Sequence, residues 1–158
     1  MINIMLFLQF KSGDDRYLLE AKNVIEIIPF VHLKKIPKAP SYVAGLLNYR
    51  GKTIPVIDVC YLMTDKKCEP KLSSRIVLTN YNKDDGQQFC IGILNEHLTE
   101  TVNWDESEFS SSGVNLEEEP YLDSVATDDK GVAQRINIAK LLPEEAYEIL
   151  FKGESSDD

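Results

Sequence analysis

The side chains of this chain that could attack, coordinate or shuttle protons are few and scattered. Cysteines occur at 60, 68 and 90, an odd number with no Cys-x-x-Cys pair. That pattern predicts free thiols in a reducing compartment. Cys60 and Cys90 lie in apolar surroundings and read as small core residues, whereas Cys68 lies in a polar loop and reads as exposed. Neither His32 nor His97 has a Cys, Asp or Glu at metal-ligand spacing, so zinc is not expected. Asn95-Glu96-His97 reads as a solvated turn. No Gly-x-Ser-x-Gly elbow and no glycine-rich phosphate cradle occurs. The acidic groups at 105–108 and 117–119 lack the glycine and the alternation of a calcium loop. The chain is therefore expected not to be an enzyme, and to need no cofactor or metal.

What remains is the chemistry of association. Gly45-Leu46-Leu47-Asn48-Tyr49-Arg50-Gly51-Lys52-Thr53-Ile54-Pro55-Val56-Ile57-Asp58 reads as two strands reversing at Arg50-Gly51. This puts Arg50 at a hairpin tip, within reach of a partner. Pro55 cannot donate to a sheet ladder, which predicts that its strand is an edge. In Val24-Ile25-Glu26-Ile27-Ile28, side chains alternate between two faces. If Glu26 points to solvent, Val24 and Ile28 share its exposed face and form an apolar strip with a charge at its centre. Such strips mark interfaces. Glu26 and Arg50 could also pair with each other, which would make them structural.

Short strands must position these residues. Alternation or β-branched runs predict strands over 5–10, 16–20, 24–28, 33–36, 46–49, 53–57, 75–79, 89–94, 98–104, 121–126 and 132–136. In the first, Leu6, Leu8 and Phe10 share one side and Gln9 and Lys11 the other. Ser41 is expected to cap one helical turn over 41–44, Asp58 a short helix through Met63, and Asn137 another over 138–142. Pro143 suits the first turn of a further helix. The strands fall into two groups of about five, each followed by a short helix, which suggests two small barrels side by side.

The chain has 158 residues, enough for one domain or two subdomains sharing a core. Charge is uneven. Residues 1–99 carry 13 Lys/Arg against 10 Asp/Glu, and residues 100–158 carry 4 against 16. Ten acidic residues and no basic one lie between Glu100 and Asp129. This balance disfavours nucleic acid and anionic membrane surfaces. No apolar run approaches the ~18 residues of a membrane span.

Gly45-Leu46-Leu47-Asn48-Tyr49-Arg50-Gly51, followed by Ile54-Pro55-Val56-Ile57-Asp58, resembles the CheW-like domains, coupling proteins of bacterial chemosensory arrays. Tyr17-Leu18-Leu19-Glu20, the 24–28 strand, Ile36-Pro37, Ser74-Arg75-Ile76-Val77-Leu78 and Ile91-Gly92-Ile93-Leu94 support the likeness, which runs from about Leu6 to Leu142. The resemblance implies an all-β fold: two five-stranded SH3-like β-barrels packed together, with short helices. It implies a single domain over 1–152 and an acidic tail at 153–158. The subdomains are expected at about 15–64 and 72–142, with the N-terminal strand 4–11 a candidate to join the second. It implies a cytoplasmic, non-enzymatic scaffold that couples methyl-accepting chemoreceptor tips to the regulatory domain of a CheA-like histidine kinase. Partner contacts are carried over to Val24, Glu26 and Arg50; Ile28 is added from the alternation alone. Tyr49, in place of the family's common leucine, and the Pro143 helix suggest an accessory system controlling cyclic-di-GMP or pili. A reading of another class, a small-ligand sensory module, finds no polar cluster to mark its pocket.

Overall fold

The computed structural model describes residues 2–82, 86, 88–110 and 122–142. Among the described residues, ten strands run in chain order: β1 (Ile4–Ser12), β2 (Asp15–Glu20), β3 (Val24–Pro29), β4 (Val43–Tyr49), β5 (Lys52–Asp58), β6 (Arg75–Asn82), β7 (Gln88–Asn95), β8 (His97–Asp105), β9 (Leu122–Asp128) and β10 (Gly131–Ile136). One helix, α1 (Val59–Thr64), follows β5, and a 3-10 turn over Ile138–Lys140 follows β10. Asp58 caps α1 by accepting from the Tyr61 amide at 3.0 Å, and Asn137 caps the later turn by accepting from Ala139 at 3.0 Å. Both caps lie where the sequence placed them. The expected Pro143 helix and the acidic tail fall outside the described residues.

The strands form two five-stranded sheets. A central sheet, in the order β3-β6-β7-β5-β4, uses the middle of the chain, and a terminal sheet, β8-β1-β2-β10-β9, uses its two ends. The division expected at residues 64–71 is therefore displaced. β6 and β7 belong with the strands before them, and β2 joins the terminal sheet along with the N-terminal strand. Neither sheet closes into a continuous barrel. Each is drawn together by one bridge: Lys34 to Leu46 in the central sheet and Ser110 to Val125 in the terminal one. The strand expected over 33–36 is only this bridge, and the helical turn expected over 41–44 is a reversal in which Val43 N donates to Pro40 O at 2.9 Å.

Pro55 does not mark an edge. β5 lies between β4 and β7. The two-residue hairpin is closed by Tyr49 and Lys52, which makes Leu46 and Pro55 a pair that exchanges no backbone bonds. On the other flank, the parallel ladder with β7 begins at Val56. The missing N–H of Pro55 falls where neither neighbour needs it.

Three apolar cores follow. Phe7, Leu18, Trp104, Ala126 and Ala133 fill the terminal sheet, while Leu47, Ile54, Val56, Ile76 and Leu78 are central among those filling the other. The largest core lies between the sheets, where Leu8, Phe10, Tyr17 and Leu19 meet Ile57, Val77, Ile91 and Ile93. β1 is thus covered on both faces from Phe7 to Phe10, and Gln9, expected outside, is buried. With the larger part of the apolar burial shared, neither sheet is a separate folding unit.

Candidate functional site: a partner-binding surface

The hairpin tip is a type I′ turn, with φ of 51° at Arg50 and 81° at Gly51. The turn projects the Arg50 side chain into solvent, where it is 77% exposed. Its guanidinium lies 5.1 Å from the centre of the Tyr49 ring. One nitrogen approaches the Glu26 carboxylate at 3.7 Å, and that side chain is 40% exposed. A loose, wet pair of this kind contributes at most about 1 kcal/mol. Both charges therefore remain available to a partner.

The rest of the predicted strip is out of phase. Glu26 and Ile28 share one side of β3, Val24 is turned to the other, and all three are half-buried: Val24 packs on the core between the sheets and Ile28 on the core of the central sheet. The exposed residues are Ile25, at 49%, and Ile27, at 39%. Glu26 faces Leu78 and Ile28 faces Ile76 across the ladder, so their side looks into the central sheet. A bulge between Val24 and Glu26 adds to the shift. A charged residue at a sheet rim can stay wet on the inward side, which the assumption of an outward Glu26 overlooked.

Ile27 pairs with Val77, which belongs to the core between the sheets. On β1, Leu6 stands on the same side as Leu8 and Phe10, which enter that core. Leu6, Ile4 and Ile2 are exposed. The strand faces that meet in this core thus each carry an exposed apolar residue beyond it, Leu6 on β1 and Ile27 on β3. The turn Ala21–Asn23 joins the two sides, and a hollow of about 320 Å³ opens there, lined by Met5, Leu6, Glu20, Ala21 and Lys22. The signal for this surface was the apolar run at 2–8, longer on its outer side than the neighbouring sheet can cover.

Around α1, Asp58 is 4% exposed, and its carboxylate also accepts from Cys68 N at 2.9 Å. Burial pushes its pKa up, against the pull of the amides of Cys68, Tyr61 and Cys60. Cys60 and Cys68 are joined in a disulfide, against the expectation of free thiols, and Cys68 is half-buried rather than exposed. The 65–68 loop folds back on α1 because Asp65 takes a left-handed conformation at the helix end, and this brings the two sulfurs together. Asp58, Cys60 and Cys68 place ligand-type atoms within 4.8 Å of one another, but the sulfurs are bonded to each other. The turn at 95–97 is also tied down. Glu96 accepts from the Glu69 amide at 2.9 Å and from Lys71 at 3.5 Å, and Asn95 is fully buried.

No helix among the described residues is long and apolar enough to cross a membrane. A family model for the CheW-like domain matches residues 6–146. The chain is 25% identical over 99 residues to the chemotaxis protein CheW of Helicobacter pylori, covering 63% of this chain and 57% of that protein. It is 30% identical over 69 residues to the chemotaxis protein CheW of Rhizobium meliloti, covering 44% of each. It is equally similar over 69 residues to protein FrzA of Myxococcus xanthus, covering 44% of this chain and 42% of FrzA. The matches span about half the length of these relatives. The crystal structure of the scaffolding protein TtCheW from Thermoanaerobacter tengcongensis superposes with a TM-score of 0.77 at 24% identity, over 91% of both chains, and shares the fold.

Proposed function

The chain belongs to the CheW-like domain family, non-enzymatic scaffold adaptors of chemotaxis, and from that premise we propose that it couples chemoreceptor tips to the regulatory domain of a CheA-like histidine kinase. The observation that carries this reading is the exposed apolar side chains of Leu6 and Ile27, on the strand faces that also form the core between the sheets. A helix from a receptor tip can lay its apolar face there, with anchors at helical spacing. Burying ~300–400 Å² of apolar area at about 25 cal/mol/Å² yields about 7–10 kcal/mol before association costs, so a single contact is weak. Strength then comes from repetition in an array. Glu26 and Arg50, with the flanking Val24 and Ile28, form the second contact, toward the kinase. Such a protein works in the cytoplasm, beneath membrane receptors and without entering the bilayer. Tyr49, beneath the Arg50 guanidinium, supports the finer assignment to an accessory pathway with a cyclic-di-GMP or pilus output.

The test is co-sedimentation with receptor cytoplasmic fragments and the kinase regulatory domain. Ile27→Glu is expected to remove receptor binding, and Arg50→Ala to weaken kinase recruitment, with unchanged circular dichroism in both. Full assembly by both variants would refute the proposal.

A further inference from the structure

The Cys60–Cys68 disulfide lies beside a hollow of the central sheet that Cys68 lines. That hollow, about 450 Å³, lies at the end of the sheet away from Arg50, between the 30–44 segment and the 65–70 loop. Leu33, Ile36 and Val43 line it on one side, and Lys67, Cys68 and Pro70 on the other. Hydrogen bonds hold the 65–70 wall in place, among them Asp65 N to Tyr61 O at 2.9 Å and Ser74 Oγ to Glu69 O at 3.5 Å. Cys68 N donates to Asp58 at 2.9 Å, Glu69 N donates to Glu96 at 2.9 Å, and Lys66 N donates to Thr64 at 3.2 Å. The disulfide is the covalent member of this set, and it spans only eight residues.

We propose that Cys60 and Cys68 form a redox-modification site, a reversible dithiol–disulfide pair whose state sets the position of the 65–70 wall. The adaptor reading gives this pair no part, and the pair does not depend on that reading. The two sulfurs differ in access: Cys60 is buried at the start of α1, whereas Cys68 is half-buried and borders the hollow. A protein dithiol of the thioredoxin class supplies the electrons. Its thiolate attacks Cys68 Sγ, the Cys60–Cys68 bond breaks, and Cys60 leaves as a thiolate that takes up a proton. The reductant's second thiol then attacks the mixed disulfide and releases Cys68, which takes up the second proton. Two electrons and two protons enter the chain, and the reductant leaves as its own disulfide. A low-molecular-weight disulfide reverses the change by the same exchange. Cys90 is free, half-buried on β7, and burial pushes its thiol pKa up, which suppresses its thiolate. It stays out of the exchange.

Once the bond opens, Cys68 N keeps its Asp58 acceptor only while the loop happens to return. The expected result is a local loosening with an intact fold. The full chain is equilibrated in buffers of reduced and oxidised glutathione, alkylated and analysed by mass spectrometry, with amide exchange measured on both forms. Cys60 and Cys68 should gain or lose alkylation together as the buffer changes, in wild type and in Cys90→Ser alike. Amide exchange at residues 66–68 should rise at least about tenfold on reduction while β6 and β7 are unchanged. The double variant Cys60→Ser/Cys68→Ser should reproduce the reduced pattern in every buffer. Three results would overturn the proposal: a bond that opens only on unfolding, exchange at 66–68 that is equal in both forms, or a reduced pair that captures Co²⁺ with thiolate-to-metal absorption. The last would make Asp58, Cys60 and Cys68 a metal site instead.

Discussion

The two sheets share one topology and are built from different materials. Taking the central strands β3 to β7 in chain order, the terminal sheet repeats their arrangement as β8, β9, β10, β1 and β2. Each has one parallel pair, β5 with β7 and β2 with β10, and each has a capped helical turn after the equivalent strand. Each sheet carries an arginine at one of its hairpins, Arg16 on β2 and Arg50 between β4 and β5, at positions that do not correspond, and here they diverge. In the terminal sheet, Arg16 is 6% exposed and forks onto both carboxylate oxygens of Asp128, at 3.1 and 2.7 Å, and onto Gly131 O at 2.7 Å. In the central sheet, Arg50 stands in water beside a distant Glu26. Arg135 repeats the terminal pattern: it is held by Glu20 and Glu106 and lies over Phe7 and Phe109. Burial alone would lower its pKa, but the bonds to Glu106 and Glu20 outweigh that and raise it. Charge that is spent on structure in one sheet is left free for a partner in the other.

The largest effect should come from the buried fork. Arg16→Ala strands a partly buried carboxylate and the Gly131 carbonyl, with an expected loss of about 3 kcal/mol. For a domain of this size, that lowers the melting temperature by about 6–12 °C. Arg16→Ala/Asp128→Ala should recover part of the loss, because no charge is then left without its partner. A loss from Arg16→Ala no larger than that from Arg50→Ala would erase the distinction between the sheets.

Next is the closure of the central sheet. Gly45 has a φ of 150°, and a Cβ there would stand 2.7 Å from Lys34 O and 3.0 Å from Leu33 Cβ. The neighbour is backbone that itself exchanges bonds with Leu46, at 2.9 and 2.7 Å, so it cannot give way cheaply. Gly45→Ala is expected to cost about 1–3 kcal/mol and to speed amide exchange at Lys34 and Leu46. The Ser110–Val125 bridge of the terminal sheet should keep its protection.

Acid distinguishes the sheets by sign. The Arg16 bonds, first among several causes, hold the Asp128 pKa below the usual carboxylate range. Its stabilising share is full above that range and is lost as pH falls through the lowered value. Asp58 has the opposite sense, since burial raises its pKa. Its share is full below the usual range and declines as pH rises through the raised value. The melting difference between Asp58→Asn and wild type should therefore move in favour of the variant between about pH 4 and pH 7, whereas that for Asp128→Asn should move against the variant as pH rises toward about 4 and level off above it. Parallel trends would remove the sign difference.

Elements with a local cause were legible in the sequence. The strands came from alternation, the caps at Asp58 and Asn137 from side-chain oxygens before apolar turns, and the 50–51 reversal from its glycine. What failed depended on neighbours far along the chain. Pro55 looked like an edge because the ladder with β7 starts one residue later. Val24 and Ile28 looked exposed because nothing local says which side of β3 meets the other strands. Gln9 and Cys68 looked wet because the groups that cover them come from elsewhere in the chain. The resemblance to a family named the two-sheet plan, but the circular order of the strands shifted the division between them.

The smallest effect on stability is the most instructive about the hairpin tip. A type I′ turn asks for positive φ at both central positions and favours Asn-Gly. Arg50 meets that demand at φ 51°, in a region that costs a side chain of its kind roughly 1 kcal/mol. Its pairing with Glu26 at 3.7 Å and its approach to the Tyr49 ring return only about that much, in water. Arg50→Asn removes the guanidinium and relieves the backbone together. It should leave the fold unchanged or stabilise it by up to about 0.5–1 kcal/mol, read as a rise of a few degrees in melting temperature. If the tip is held for a partner, the same variant should recruit the kinase regulatory domain less well than Arg50→Lys. Stability and assembly would then move in opposite directions from one substitution, as expected where a strained residue is retained for contact. A destabilised Arg50→Asn would instead mean that the exposed arginine, like Arg16, is part of what holds its sheet together.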